Sequence, residues 1–139
     1  MPLFRKNKDV GVRSFILKLI NNNCPELKGL MEGPRTESRV DMVVVVTIIP
    51  MENKRLQLRR AFSAVTKGFS NTGVGVVLDR PRRVPEAILG FRFEGGTTFV
   101  RAQGKHLSPM GGGFFQLGLR LMEIVSVGDY PELASASYA

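Results

Sequence analysis

With 139 residues the chain has room for one domain of ordinary size, able to bury a core without disulfides or metals, and is too short for two. A hydrophobic fraction of 43% with 8% aromatic residues excludes a disordered or collagen-like chain. Twenty Lys and Arg against twelve Asp and Glu give a net charge of +8 and a pI near 10.3, which favours anionic partners: nucleic acid, nucleotide phosphates or an acidic membrane surface. Fourteen of the basic residues but only six of the acids lie between Arg35 and Arg120, so the excess belongs to that segment. The single cysteine, Cys24, excludes an intramolecular disulfide and a cysteine-rich zinc site, and fits a reducing compartment, with the cytoplasm expected. The apolar run after Arg5, Lys6 and Lys8 is interrupted by Arg13 and Lys18 and lacks a small-residue cleavage site, so it reads as neither a signal peptide nor a membrane span.

In chain order, Asp9 is placed to cap a helix whose apolar residues Val12, Phe15, Ile16, Leu19 and Ile20 share one face, with Asn21 to Asn23 ending it. Pro25 suits the first turn of a second short helix carrying Leu27, Leu30 and Met31, which Gly33-Pro34 stops. After a short link from Arg35 to Arg39, the β-branched run Val40 to Ile49 predicts a strand closed by Pro50. Both faces of that run are apolar, so cover is expected on both, from the N-terminal helix or a partner subunit. Further strands are predicted at Arg60 to Lys67, Val74 to Leu78, Ala87 to Phe93, Thr97 to Leu107 and Phe114 to Val125. Between them fall a basic loop at Pro81 to Pro85 and turns at Glu94-Gly95-Gly96 and Pro109 to Gly113. Tyr130 to Ala139 is a tail with room for one helical turn. Six strands at this spacing predict a mainly β fold, a small antiparallel barrel.

Catalytic constellations are sparse. His106 is the only histidine and Cys24 the only cysteine, so no His-rich metal site, no Cys-His pair with spare members and no Ser-His-Asp set is indicated, and His106 reads as a surface or rim residue. Gly73-Val74-Gly75 and Gly111-Gly112-Gly113 lack the Lys-Ser/Thr of a phosphate loop and read as turns and close backbone approaches. Arg35 and Arg39, in the link entering the first strand, are different. Each guanidinium is a fixed fork of donors that pairs bidentately with a phosphate or with the O6 and N7 edge of guanine.

Some thirty residues on, as counted along the sequence, comes Gly68-Phe69-Ser70-Asn71-Thr72-Gly73. Together the two segments resemble the PilZ domain family, which carries R-x-x-x-R before its first strand and D/N-x-S-x-x-G between its second and third. Arg35-Thr36-Glu37-Ser38-Arg39 matches the first motif in full, and Ser70 and Gly73 match the last two positions of the second; Gly68 stands where the family carries Asp or Asn. The similarity runs from about Arg35 to Val125. It implies a six-stranded antiparallel PilZ-type barrel that binds the bacterial second messenger cyclic di-GMP, with the arginine link folding over the ligand and the Ser/Gly turn cradling a guanine. Glycine at 68 removes an acceptor for guanine N1–H and N2–H, a loss of about 1 to 3 kcal/mol in a site built around that bond.

The expected organisation is an N-terminal helical extension over 1–34, a PilZ-like domain over 35–126 and a tail over 127–139. The expected function is a receptor without catalytic activity, cofactor or metal, with Arg35, Arg39, Ser70 and Gly73 binding cyclic di-GMP, Gly68 at the edge of that set, and a downstream protein partner reading the conformational change. Two other functions fit the same residues: a barrel binding single-stranded nucleic acid, with Phe62, Phe91, Phe93 or Phe99 stacking bases, and a PilZ-like domain that has lost its ligand and acts only through protein contacts. The basic flank of the helix also suits an anionic membrane surface.

Overall fold

The structure is a computed structural model that describes residues 2–23 and 39–135. The predicted second helix, Cys24, Arg35 and the end of the tail lie outside the described residues. Eight antiparallel strands follow one helix: α1 (Pro2–Asn23), β1 (Val40–Asp41), β2 (Val45–Glu52), β3 (Arg55–Leu56), β4 (Phe62–Phe69), β5 (Gly73–Leu78), β6 (Glu86–Phe93), β7 (Gly96–Gly111) and β8 (Phe114–Val125). A short 3₁₀ turn, Pro131–Ser135, follows β8. The sheet order is β1-β4-β5-β8-β7-β6-β2-β3, and β2 also pairs with β4, so the six longer strands close into a ring.

Alternation sets the two faces of that ring. Val74, Val76 and Leu78 of β5, Ala87, Leu89 and Phe91 of β6, and Leu117, Leu119 and Leu121 of β8 form one buried cluster. The predicted face of α1, Val12, Phe15, Ile16, Leu19 and Ile20, is buried in the same cluster. Phe15 packs 5.6 Å from the Phe91 ring and edge-on to Phe93 at 5.5 Å, so the helix is bound through aromatic contacts as well as aliphatic burial. That use of the face leaves it unavailable for a membrane surface. Asp9 does not begin the helix, which starts at Pro2 and carries Asp9 in its interior; proline at the first position needs no hydrogen-bonded N–H and starts the helix earlier than the side-chain cap predicted. Among the described residues, no helix is long and apolar enough to cross a membrane.

The valine run is not one strand. β1 and β2 both pair with β4 but are separated by Met42 to Val44, and the register shows one more residue on this side than on β4: Asp41 faces Gly68 while Val45 faces Val65. Thr66 stitches the interruption. Its hydroxyl donates to the Met42 carbonyl at 2.6 Å and accepts from the Val44 amide at 2.9 Å, and its own amide donates to the Val44 carbonyl at 2.9 Å. A buried hydroxyl so satisfied replaces the missing ladder bonds of the bulge.

Nor does Pro50 close β2, which runs through it to Glu52. The β4 ladder ends at Ile48 opposite Phe62, so β4 makes no demand on an N–H at position 50, and the Pro50 carbonyl accepts from the Gln57 amide at 2.8 Å. The expectation of cover on both faces also fails in part. Val43 and Val45 are 73% and 63% exposed, and α1 packs on the buried cluster instead. Only the far end of β2 is covered outside, where Ile49 and Met51 join Ile88, Phe99, Val125 and the fully buried Leu133 of the 3₁₀ turn.

The remaining strands fall close to where the sequence predicts; β7 alone runs on past Leu107, through the first half of the predicted Pro109–Gly113 turn to Gly111, and meets β8 at the triple glycine. Glu94 and Gly95 both take positive φ, the geometry of a two-residue hairpin turn, and Gly111, Gly112 and Gly113 do so at the β7–β8 turn. An ionic chain ties α1 to the ring. Arg101 of β7 reaches Glu86 of β6 at 2.9 Å and Glu123 of β8 at 2.8 Å, and Lys8 reaches Glu123 at 3.2 Å. Partial burial works to raise the Glu123 pKa, but the hydrogen bonds and charges of Arg101 and Lys8 win and hold it below the usual glutamate value of 4.5. A depressed carboxylate stabilises the fold in full above its unfolded pKa and loses that contribution as pH falls through the folded one. Thermal unfolding followed from pH 6 to pH 3 should therefore drop more steeply for wild type than for Glu123→Gln; parallel curves would refute the role of this carboxylate.

Candidate functional site

The Ser70–Gly73 segment is a tight turn joining β4 to β5, in which the Ser70 amide donates to the Gly73 carbonyl at 3.0 Å. The Leu121 amide donates to the Thr72 carbonyl at 2.7 Å, holding the turn against β8. Glycine at 73 fits a close approach: a Cβ there would stand 3.1 Å from the Leu119 carbonyl oxygen and 3.2 Å from the Ser70 hydroxyl, and the turn would have to give by a few tenths of an ångström. The serine and the glycine are thus one unit, with the hydroxyl seated where a side chain would otherwise go.

Next to this turn, five strands contribute one residue each to a transverse row. Asp41 of β1 pairs with Gly68 of β4, Gly68 with Gly75 of β5, Gly75 with Gly118 of β8, and Gly118 with His106 of β7. Three consecutive glycines across a sheet leave a trough, and neighbouring side chains fold into it. The His106 imidazole lies over Gly118, where a Cβ would come within 2.6 Å of its Cε1, and the Gln116 amide lies over Gly75. Lys67 reaches across to donate to Gln116 Oε1 at 3.4 Å.

Two register shifts place cations around this trough. β4 carries one extra residue, Lys67, between Thr66 and Gly68, and β7 carries Lys105 between Gly104 and His106. Bulges re-aim side chains in this way beside binding sites. The result is a cleft of about 370 Å³ lined by the turn, the glycine row, Arg39, Lys67, Lys105, Arg120, Gln116 and His106, with Asp41 as the one carboxylate among the described lining residues. Four cations against one acid around an open cleft suit a multiply charged anion.

Of the residues singled out from sequence, Arg39, Gly68, Ser70 and Gly73 line this one cleft, and Arg35 lies outside the described residues. Lys67, Lys105, Arg120 and Gln116 were not foreseen. The available signal was the pair of glycines inside apolar strands, Gly75 and Gly118, since glycine in a strand interior marks a close approach. His106 is exposed at the cleft, as a rim residue. The base-stacking phenylalanines fare worse. Phe91 and Phe99 are buried, Phe93 packs against Phe15 and the core, and Phe62 is covered on one face by the Arg82 guanidinium 4.2 Å above its ring, so the four form no shared stacking platform. Among the described residues, no group of three or more His, Cys, Asp or Glu is gathered as a metal site.

Fold and cleft together define a class: a closed antiparallel ring of six strands with a basic cleft on its β4–β5–β8–β7 side. The solved structure of the Bacillus subtilis inhibitor of motility (MotI/DgrA) shares this fold with a TM-score of 0.50 at 21% identity, over 75% of this chain. This chain spans about half of that one, 49% of its length. No family model matches the chain, and no curated protein matches it.

Proposed function

We propose that this chain is a PilZ-type receptor module that binds cyclic di-GMP in the Arg39/Ser70/Gly73 cleft. The observation that carries the reading is convergence: Arg39 and the Ser70–Gly73 turn, separated in sequence and matched to two different motifs, line a single cleft rich in cations. Cyclic di-GMP carries two phosphates and two guanine faces, which ask for forked donors, backbone amides and shallow surfaces together. Arg35 completes the R-x-x-x-R motif in the segment between α1 and β1, so closure of the two arginines on ligand pulls on the connection to the helix. That gives the module an output suited to a protein partner in the bacterial cytoplasm, where this messenger acts. The fold likeness to an inhibitor of motility supports a regulatory role over a catalytic one.

Calorimetric titration of the full chain with cyclic di-GMP, set beside a single-stranded oligonucleotide, tests the reading. Saturable binding of the dinucleotide, tighter than that of the oligonucleotide, is expected. Heat only from the oligonucleotide, with steep salt dependence, would instead assign the cleft to a polyanion.

A further inference from the structure

We propose that Asp41 is the guanine-reading carboxylate of this site, supplied from the neighbouring strand in place of the acid that position 68 lacks. The inference rests on the cyclic di-GMP reading and deepens it. A guanine presents two adjacent donors, N1–H and N2–H, and a carboxylate is the side chain that accepts both at once. Position 68 offers no side-chain acceptor. Asp41, however, is its direct cross-strand partner, and Asp41 Oδ1 lies only 3.5 Å from where a Cβ on residue 68 would stand. The carboxylate therefore occupies the space that a side chain at 68 would enter.

Two further observations fit. Asp41 is exposed and lines the cleft together with Ser70 and Gly73, in surroundings otherwise supplied with cations. A lone acid among four cations weakens attraction for phosphate, so its presence there calls for a ligand group that donates rather than accepts. And the space is exclusive: a Cβ at 68 would also press to 3.1 Å from the Val40 carbonyl oxygen, so glycine at 68 leaves the carboxylate of Asp41 room to turn into the cleft. Acid at 68 and acid at 41 are alternative ways to fill one position.

The test pairs protein variants with a ligand lacking one donor. The inosine analogue of cyclic di-GMP has no 2-amino group but keeps its phosphates and rings. Wild type should bind cyclic di-GMP roughly tenfold or more tighter than the analogue, the ratio a charged hydrogen bond supplies. Asp41→Ala should bind both alike, and the double variant Asp41→Ala with Gly68→Asp should regain the preference. Asp41→Val, whose side chain suits an edge strand, provides a second carboxylate-free variant should alanine there fold poorly. Undiminished preference in Asp41→Ala or Asp41→Val would overturn the role of Asp41 while leaving the receptor reading in place. Failure of wild type to bind cyclic di-GMP at all would overturn both.

Discussion

Alanine at position 104 should lower the stability of the fold by on the order of 3 kcal/mol, the range of a substitution that drives new atoms into packed backbone. Gly104 lies inside β7, and a Cβ there would run into the Val84 carbonyl oxygen. The loop cannot simply retreat. Val84 is buried in the core, and the Pro85 carbonyl accepts a hydrogen bond from the Gly104 amide at 3.0 Å, so the chain is held against β7 on both sides of the clash. Because the β7 register slips next to this point, placing Lys105 and His106 at the cleft, the damage should extend to ligand affinity. Urea unfolding measures the first effect; an unfolding free energy within about 0.5 kcal/mol of wild type, the spread of ordinary surface substitutions, would show that the loop gives way freely.

Arg39→Ala should leave stability nearly untouched and weaken cyclic di-GMP binding roughly tenfold to a hundredfold, the span of a charge-assisted bidentate contact to phosphate or guanine. Arg39 is exposed at the cleft, so its removal opens no cavity in the core. Lysine in its place should restore only part of the affinity, because a single ammonium keeps the charge and loses the fork. The same comparison at Arg35 asks whether both arginines of the motif engage. Titration calorimetry at fixed ionic strength separates the outcomes, and equal affinity in wild type and both alanine variants would remove the arginine link from the site.

Much of this molecule was legible in the sequence, for reasons that differ by element. The helix face from Val12 to Ile20 and the alternation of β4, β5 and β8 are local patterns whose period decides their packing. The turn at Glu94-Gly95 follows from its own residues. Arg39, Ser70 and Gly73 were singled out through motif resemblance, because nothing local to either segment says that they line one cleft. What was not legible depended on distant partners. The break at Met42 to Val44 is made by Thr66 on another strand, Pro50 is tolerated because of where the β4 ladder stops, and Val43 and Val45 face outward although they are as apolar as Val46. The cations of the cleft were hidden most completely. Lys67 and Lys105 reach it through one-residue register shifts, and a shift of one residue changes the face on which everything beyond it falls.

The closed ring has a bearing on how such a module behaves among other chains. Closure pairs each of the six long strands on both sides along part of its length, and the outermost strands among the described residues, β1 and β3, are two residues each, while the outer half of β7, residues 104–111, pairs with β8 alone. β1 and β3 give an incoming extended segment almost nothing to zip onto, and each carries a charge, Asp41 and Arg55, so the edge left open to strand addition is the outer half of β7 in the β7–β8 hairpin.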